Sequence, residues 1–547
     1  MSDQIKMDTG AAGTATHHNH ILDSEAIKHA DRAAALANGE RPVLTEEDSK
    51  RIRRKTDKRI LVVLMWVYFL QIVDKTVLGY GATFGLREDT GLTGSQYSLV
   101  GSIASIAQLG WQPVSSYLIV RVPHRILMPT LVLGWGIAAA TMSACHNYSG
   151  LLATRFFLGL FEAGCLPLFS VITAQWYRRA EQPLRVALWY GTNGIGNIFS
   201  AAISVGLAHI HSDVLRSWQI IFLFVGLLTI VTVPFIYLLL DNDIPSARFL
   251  TEEEKRMAVE RLRANQTGTG SREYKWNHVW EALIEPKTWL FFSMSFLLNV
   301  GASVTNIFGP LILKGFGFDS YKTSLLNMPF GVMQTSVILL GCYCAQKTSI
   351  KAAILLSLVA PVVAGLAILY AVPHAGHTAP LLAGYYLLAF LFGGNPLIVS
   401  WIVGNTGGAT KRSFVASVYN AASSAGNIVG PLLFNSKDAP TYHPGLRACL
   451  AIFIALVVVI AIQWINLIWL NKRQEKKRVR NGKPAKMVDH SMQKHYHDFA
   501  EDNKATKVAQ VERVESQVNV EGGQEEIGEN AFLDLTDRQN DEFVYIY

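Results

Sequence analysis

Asp74, Lys75, Arg155 and Glu162 are acids and bases set in stretches of sequence that are otherwise almost wholly apolar. A charged side chain at the centre of a bilayer costs about 2.5–3.5 kcal/mol on insertion scales, so four of them need a reason to be there. Seven residues make about two helical turns, which puts Arg155 and Glu162 on one helix face roughly 10 Å apart. One reason is structural: the four form ion pairs that hold two helices together. The other is chemical. A carboxylate in such surroundings, Asp74 or Glu162, can exchange a proton near neutral pH. Lys75 and Arg155 offer cationic sites that a carboxylate ligand neutralises. Protonating an acid frees its basic partner, which then takes up an anion, so proton and anion move together. That is the logic of symport, and ion pairing is compatible with it.

Amides extend the pattern. Gln108 and Gln112, Asn193 and Asn197, Asn299 and Asn306, Asn327 and Gln334, and Asn420 and Asn427 each recur at a spacing of four or seven, hence on one helix face. Hydrogen bonds between helices explain any single pair; five such faces point to the walls of a wet cavity. Gly393-Gly394-Asn395-Pro396 breaks the backbone ladder within a tenth apolar stretch, which a membrane tolerates where backbone lines a cavity.

These residues need spanning helices to hold them. Half of the 547 residues are hydrophobic and 17 % are charged, against about a quarter charged in soluble domains. The charges are segregated into clusters such as 51–59 and 472–480, beside long stretches with almost none. The net charge of +7 is therefore matched to anionic lipid and to membrane orientation, and no nucleic-acid partner is expected. Twelve candidate spans lie near residues 60–80, 96–120, 125–145, 150–174, 186–208, 217–240, 289–311, 325–345, 350–371, 379–403, 414–434 and 447–470. The expected fold is thus an all-α membrane protein of 12 transmembrane helices in two six-helix bundles, 59–240 and 289–471. A linker, 241–288, joins them, and tails of 1–58 and 472–547 flank them. Lys and Arg crowd the loops on the side of the termini, which predicts both tails in the cytosol. Thr251-Glu252-Glu253-Glu254 is a capping box that opens an amphipathic helix in the linker, expected on the membrane face and bracing the halves. Most of both tails is expected to be disordered, although the more apolar 531–537 has the character of a docking segment. The five cysteines (Cys145, Cys165, Cys342, Cys344, Cys449) show neither a metal spacing nor a disulfide framework. No cleavable signal peptide is expected, and no nucleophile–base pair, metal motif or phosphate loop points to an enzyme.

Several segments together resemble the anion:cation symporter family of the major facilitator superfamily, in its fungal allantoate permease-like branch. They are Tyr68-Phe69-Leu70-Gln71-Ile72-Val73-Asp74-Lys75, Arg155-Phe156-Phe157-Leu158-Gly159-Leu160-Phe161-Glu162-Ala163-Gly164, Glu285-Pro286-Lys287-Thr288-Trp289, residues 405–412 and residues 533–540. The resemblance implies proton coupling at Asp74 and Glu162, with Lys75 and Arg155 as their partners. It also implies substrate contacts from Asn193 and Asn395, and Gln71, in the first of these segments, is a further expected substrate contact. The coupled ion would be H+, with no other cofactor. The substrate would be a small organic anion such as allantoate, ureidosuccinate, nicotinate or another vitamin acid, imported across the plasma membrane by a monomer. Two features depart from the superfamily pattern. Ser116–Arg125 lacks the Asp of the usual Gly-x-x-x-Asp-Arg loop, and Gly191–Gly196 lacks the Gly-Pro antiporter signature. Competing readings are an uncoupled facilitator or exchanger, and a nutrient sensor of transporter shape that signals through its tails.

Overall fold

The computed structural model describes residues 44–92, 96–208, 212–267, 271–315, 320–373, 377–433, 442–481, 490–492 and 529–547, with a few isolated positions besides. Among them every regular element is helical. Helix α1 (Glu46–Thr56) passes through a π-helical turn into α2 (Val62–Thr83), the first span, so the chain enters the membrane without a break at residue 58. The spans that follow in the first half are α3 (Gln96–Arg121), α4 (His124–Thr141), the pair α5 (Tyr148–Glu162) and α6 (Cys165–Trp176), α7 (Gln182–Ala208) and α8 (Ser217–Leu239). Linker helices α9 (Glu252–Arg263) and α10 (Trp276–Ile284) lead into the second half. Its spans are α11 (Pro286–Gly315), α12 (Ser320–Thr348), α13 (Lys351–Ala371), α14 (Thr378–Leu387) with α15 (Gly394–Gly404), α16 (Ala409–Val429) and α17 (His443–Arg480). The twelve spans anticipated from hydropathy are all present, and α17 continues well past residue 471.

Among the described residues, seven of these spans are identified as long and apolar enough to cross a membrane by length and composition alone. The amide pairs fall on α3, α7, α11, α12 and α16. Gln108, Gln112, Asn299, Gln334 and Asn420 are buried within the protein, where a polar side chain is tolerated. Helices approach closely where glycine removes the side chain. A Cβ on Gly159 of α5 would collide with the Ala104 backbone of α3, and one on Gly426 of α16 would lie 2.7 Å from the Phe296 carbonyl oxygen of α11.

Two spans are broken. The fourth, expected as one helix, is split between Glu162 and Cys165. Proline has no N–H to donate, so Pro167 cannot bond the carbonyl four residues back, that of Ala163. Gln112 Nε2 of α3 (3.1 Å) and Asn420 Nδ2 of α16 (3.0 Å) donate to that carbonyl instead. The tenth span tightens to a 3₁₀ segment, Leu388–Gly393, just before Asn395 and Pro396, as the Gly-Gly-Asn-Pro sequence predicts.

α1, both linker helices and the segment 529–547 gather on one face, termed here the tail side. Lys55 of α1 lies 2.7 Å from Glu254 of α9, and Arg261 of α9 pairs with Glu181 of the α6–α7 loop. The capping box at Thr251 is formed. α9 does not lie on the membrane face, however. Met257, Ala258, Val259, Leu262 and Arg263 are all buried, because protein covers the apolar face that the sequence suggested for lipid. It is α10 that leaves an apolar stripe open, with Trp276, Trp280 and Ile284 at intervals of four and 62–74 % exposed. The last stretch of chain is not disordered over 529–547: it is packed in, with Phe532, Phe543, Tyr545 and Ile546 buried. Most of 1–43 and all of 493–528 lie outside the described residues.

Candidate functional site

α2 carries Tyr68, Gln71 and Lys75 at intervals of three and four, one stripe on one helix face, with Asp74 beside it. α5 ends on Glu162, so the break in the fourth span falls at the carboxylate itself. Glu162 is fully buried; its Oε2 accepts a hydrogen bond from Gln108 Nε2 at 3.0 Å and lies 3.9 Å from Lys75 Nζ. Gln71 also faces it. Lys75 is 41 % exposed, so this ion pair joins a buried acid to a partly exposed base. Two turns back on α5, the Arg155 guanidinium is buried with Nε 3.5 Å from the Val100 carbonyl oxygen, and Tyr97, Asp74 and Glu162 are its electrostatic neighbours. Asp74 is buried next to Trp135 and Thr229 and shares a field with Glu162 and Arg155.

The polar atoms here are incompletely satisfied. Asp74 Oδ2, Glu162 Oε1, Arg155 Nη1 and Gln71 Oε1 are buried without a hydrogen-bond partner. Buried polar groups in native proteins are nearly always paired, so this cluster of orphans on ionisable groups within the spans is a candidate site. The structure thus brings Asp74, Lys75, Arg155, Glu162 and Gln71 into one site.

Asn193 and Asn395 belong to a second layer, nearer the tail side. Asn395, at the start of α15, exchanges hydrogen bonds with Asn299 of α11 (3.2 and 3.3 Å), and its Oδ1 accepts from the Tyr419 hydroxyl at 2.6 Å. Tyr190 of α7 lies beside Asn395, and its ring centroid is 5.1 Å from that of Tyr68, which in turn neighbours Asn193. Asn193 Oδ1 accepts from Asn197 Nδ2 at 3.3 Å. Tyr68, Tyr190 and Tyr419 therefore link the amides of the two halves into a floor. Tyr68 lies six residues before Asp74, roughly 9 Å along the helix, so the floor sits on the tail side of the charges. Below it the halves are joined by Ser413 Oγ donating to the Ser116 carbonyl at 2.9 Å. Ser424 of α16 reaches Gln108, the donor to Glu162, at 3.5 Å.

Two of the three tyrosines carry a signal in the sequence. Tyr68-Gln71-Lys75 and Tyr190-Asn193-Asn197 repeat the same three-then-four spacing on α2 and α7. Of the amide pairs, Gln112 and Asn420 serve the broken fourth span, a role that depends on Pro167 and not on either helix alone. The side chains of Asn306 and Asn327 lie outside the described residues.

Residues 64–431 match the family model described as Major Facilitator Superfamily. The chain belongs to the major facilitator superfamily. Among curated relatives of this major facilitator, a thiamine pathway transporter of Saccharomyces cerevisiae is 32 % identical over 79 % of this chain and 82 % of its own length. Allantoate permease of the same yeast is 31 % identical over 84 % of this chain and 86 % of its own. An uncharacterized transporter of Schizosaccharomyces pombe is 32 % identical over 79 % of this chain and 82 % of its own. Among solved structures, the proton:xylose symporter XylE shares the fold with a TM-score of 0.59, covering 76 % of this chain and 95 % of its own at 14 % identity. The human organic anion transporter MFSD10 does so with a TM-score of 0.56, covering 74 % and 99 %, also at 14 % identity. The likeness to the allantoate permease branch, expected from segments at 68–75 and 155–164, thus extends over most of the chain. The protein is a multi-pass integral membrane protein built as a transporter of a small molecule.

Proposed function

We propose that the protein is a proton-coupled symporter of a small organic anion, working by alternating access. The observation that carries this is Glu162, a wholly buried carboxylate with one oxygen unpartnered and the other 3.9 Å from the partly exposed Lys75. An ion pair in this geometry is loose enough to exchange. A proton on Glu162 removes the reason for Lys75 to stay, and an anion entering from the open side takes its place beside Lys75. Arg155, with an unpartnered N–H, supplies a second positive charge, and Asp74 holds the field that keeps it in place. Both acids and both bases thus share one thermodynamic cycle in which proton and anion bind more readily together than apart.

The class of anion is a carboxylate whose remainder hydrogen-bonds to amides and phenols, supplied by Asn193, Asn395, Tyr190 and Tyr419. Allantoate, ureidosuccinate, nicotinate and other vitamin acids have that chemistry, and similarity to allantoate permease supports the choice. The tail side, rich in Lys and Arg, is assigned to the cytosol, and the membrane to the plasma membrane, so that transport is import. In proteoliposomes, Glu162→Gln abolishes uphill uptake driven by a pH gradient and leaves counterflow exchange of the same anion measurable. Uphill uptake that survives the substitution rejects the coupling assignment, and loss of coupling together with counterflow is the mark of a binding defect instead.

A further inference from the structure

The segment Glu529–Tyr547 crosses the tail side, bonded to residues of both halves. Its links to the C-terminal half are many. Asn405 Nδ2 donates to the Ile546 carbonyl at 2.9 Å while Ile546 N donates back to Asn405 Oδ1 at 2.7 Å. Trp401 Nε1 donates to the same carbonyl at 2.8 Å, and Lys351 N to the carbonyl of Tyr547 at 2.6 Å. Asn471 of α17 exchanges hydrogen bonds with the backbone of Tyr545, both at 2.8 Å. Asp537 is buried between Lys287 and Lys411, with Lys411 Nζ at 2.8 Å, and accepts from the Tyr545 hydroxyl at 2.8 Å. With so many backbone pairings and a buried ionic anchor, the segment is in effect a part of the C-terminal half.

The N-terminal half reaches it through Arg179, in the loop between α6 and α7. The guanidinium of Arg179 donates to the Val544 carbonyl at 2.8 Å, to the Gly404 carbonyl, and to Ser491 Oγ at 3.2 Å; it lies 4.7 Å from the centroid of the Phe543 ring. Its own backbone N–H is held by Asn265 Oδ1 at 2.9 Å. One planar cation thus binds the backbone of α15, the backbone of the terminal segment and an aromatic face, a set of contacts suited to a fork of five donors. The halves cannot separate on this side while those contacts last.

We infer that Arg179 and the segment Glu529–Tyr547 form the tail-side gate of the transport cycle, with the segment as a strike plate carried by the C-terminal half and Arg179 as the bolt carried by the N-terminal half. Opening toward the tail side withdraws the guanidinium from Gly404, Val544 and Phe543, leaving the segment seated on Asn405, Trp401 and Lys411. Closing restores them. The gate is distinct from the coupling site, because none of its residues touches Asp74, Lys75, Arg155 or Glu162.

The test uses the full chain with exposed Cys344 replaced by serine, the other cysteines being buried. One reporter is Ser413→Cys, buried on the tail side where α16 meets α3. The other is Gly79→Cys, one turn beyond Lys75 on the opposite side, where a side chain meets nothing within 4 Å. Labelling by a maleimide is timed in each reporter, with and without Arg179→Gln or Phe543→Ala. Arg179→Gln should speed labelling at the Ser413→Cys reporter about tenfold and slow it at the Gly79→Cys reporter, because one population grows at the expense of the other. Phe543→Ala should move both in the same directions by less, and it decides alone if Arg179→Gln does not accumulate as folded protein. Unchanged rates at both reporters, or rates that rise at both as general loosening demands, overturn the inference. No substrate or pH gradient enters the measurement, so its outcome is independent of proton coupling.

Discussion

Two clusters of buried charge among the described residues differ in how closely their members are paired. On the tail side, the Lys411 ammonium meets three carboxylates, Glu281 and Glu285 at 2.7 Å and Asp537 at 2.8 Å. An ammonium has three N–H groups, and each one is directed to an acid. Burial opposes ionisation of Asp537, but Lys287 and Lys411 outweigh it and hold the carboxyl well below the usual carboxylate range. In the membrane, Glu162 has its nearest base at 3.9 Å and an unpartnered oxygen, and Asp74 and Arg155 also keep unpaired atoms. The first cluster has most of its interactions committed to holding the chain together, with Glu285 Oε2 left 3.5 Å from Lys287 Nζ and without a hydrogen bond. The second has interactions left over. The two clusters differ in how closely the charges are paired: three carboxylates within 2.8 Å of one ammonium on the tail side, and a single ion pair at 3.9 Å in the membrane.

The contrast is open to mutation. The largest effect on stability is expected at the tail-side cluster. Lys411→Met leaves three acids facing one another without their shared cation, and breaking a buried ionic partnership in this way costs about 3–5 kcal/mol. The variant should show a sharply lower Tm or a loss of folded protein by size-exclusion chromatography, whereas Glu162→Gln, with less to lose, keeps its Tm. Equal losses in the two variants would erase the distinction.

Next in size is Arg155→Gln, which removes one of the two cations offered to the anion. Truncating one member of a buried charged pair costs about 2–5 kcal/mol of binding, so the KM for uptake should rise at least about thirtyfold. Lys75→Gln, at a partly solvated position, should raise it less, by about tenfold or under. Initial-rate measurements across anion concentration rank the two, and the reverse ranking would make Lys75 the principal anion site. Smaller again is Tyr419→Phe. It removes one hydrogen bond to Asn395, worth about 1 kcal/mol, so KM should change by roughly fivefold or less with Tm nearly unmoved.

The smallest effect is a difference in pH response. Asp537 has a folded-state pKa below its unfolded value of about 3.9. Its contribution to stability is therefore fully present above that unfolded value and is lost only as pH falls through the depressed folded one. Between pH 7 and pH 5 the Asp537 contribution to Tm should stay constant, which the difference between wild type and Asp537→Asn measures at each pH. A contribution that fades by pH 5 would mean that Lys287 and Lys411 do not hold the carboxylate.

Much of this was legible in the residues because it is local. Apolar runs fix the spans, and Asp74, Lys75, Arg155 and Glu162 stand out against them without any knowledge of neighbours. The Thr251 capping box and the Gly393-Gly394-Asn395-Pro396 break are likewise written within a few residues. What escaped depends on contacts between distant segments. Lys411 reads in the sequence as an orienting charge in a short loop, yet it is the buried centre of the tail-side cluster because Asp537, more than a hundred positions away, folds back to it. Asn420 reads as one amide in a wet wall, yet it caps the carbonyl left free by Pro167 in the other half. The apolar face of α9 looks like a membrane face until the rest of the tail side covers it. Periodicity identifies a face; it does not say what will lie against that face.

The most direct test of the central claim is proton movement itself. In proteoliposomes holding a pH-sensitive dye and starting without a pH gradient, an inward gradient of the transported anion should acidify the lumen of wild-type vesicles. Glu162→Gln vesicles should admit no protons under the same anion gradient while still exchanging labelled anion at equilibrium. Acidification of Glu162→Gln vesicles at the wild-type rate would contradict the account, since the proton would then be carried elsewhere or not be coupled at all.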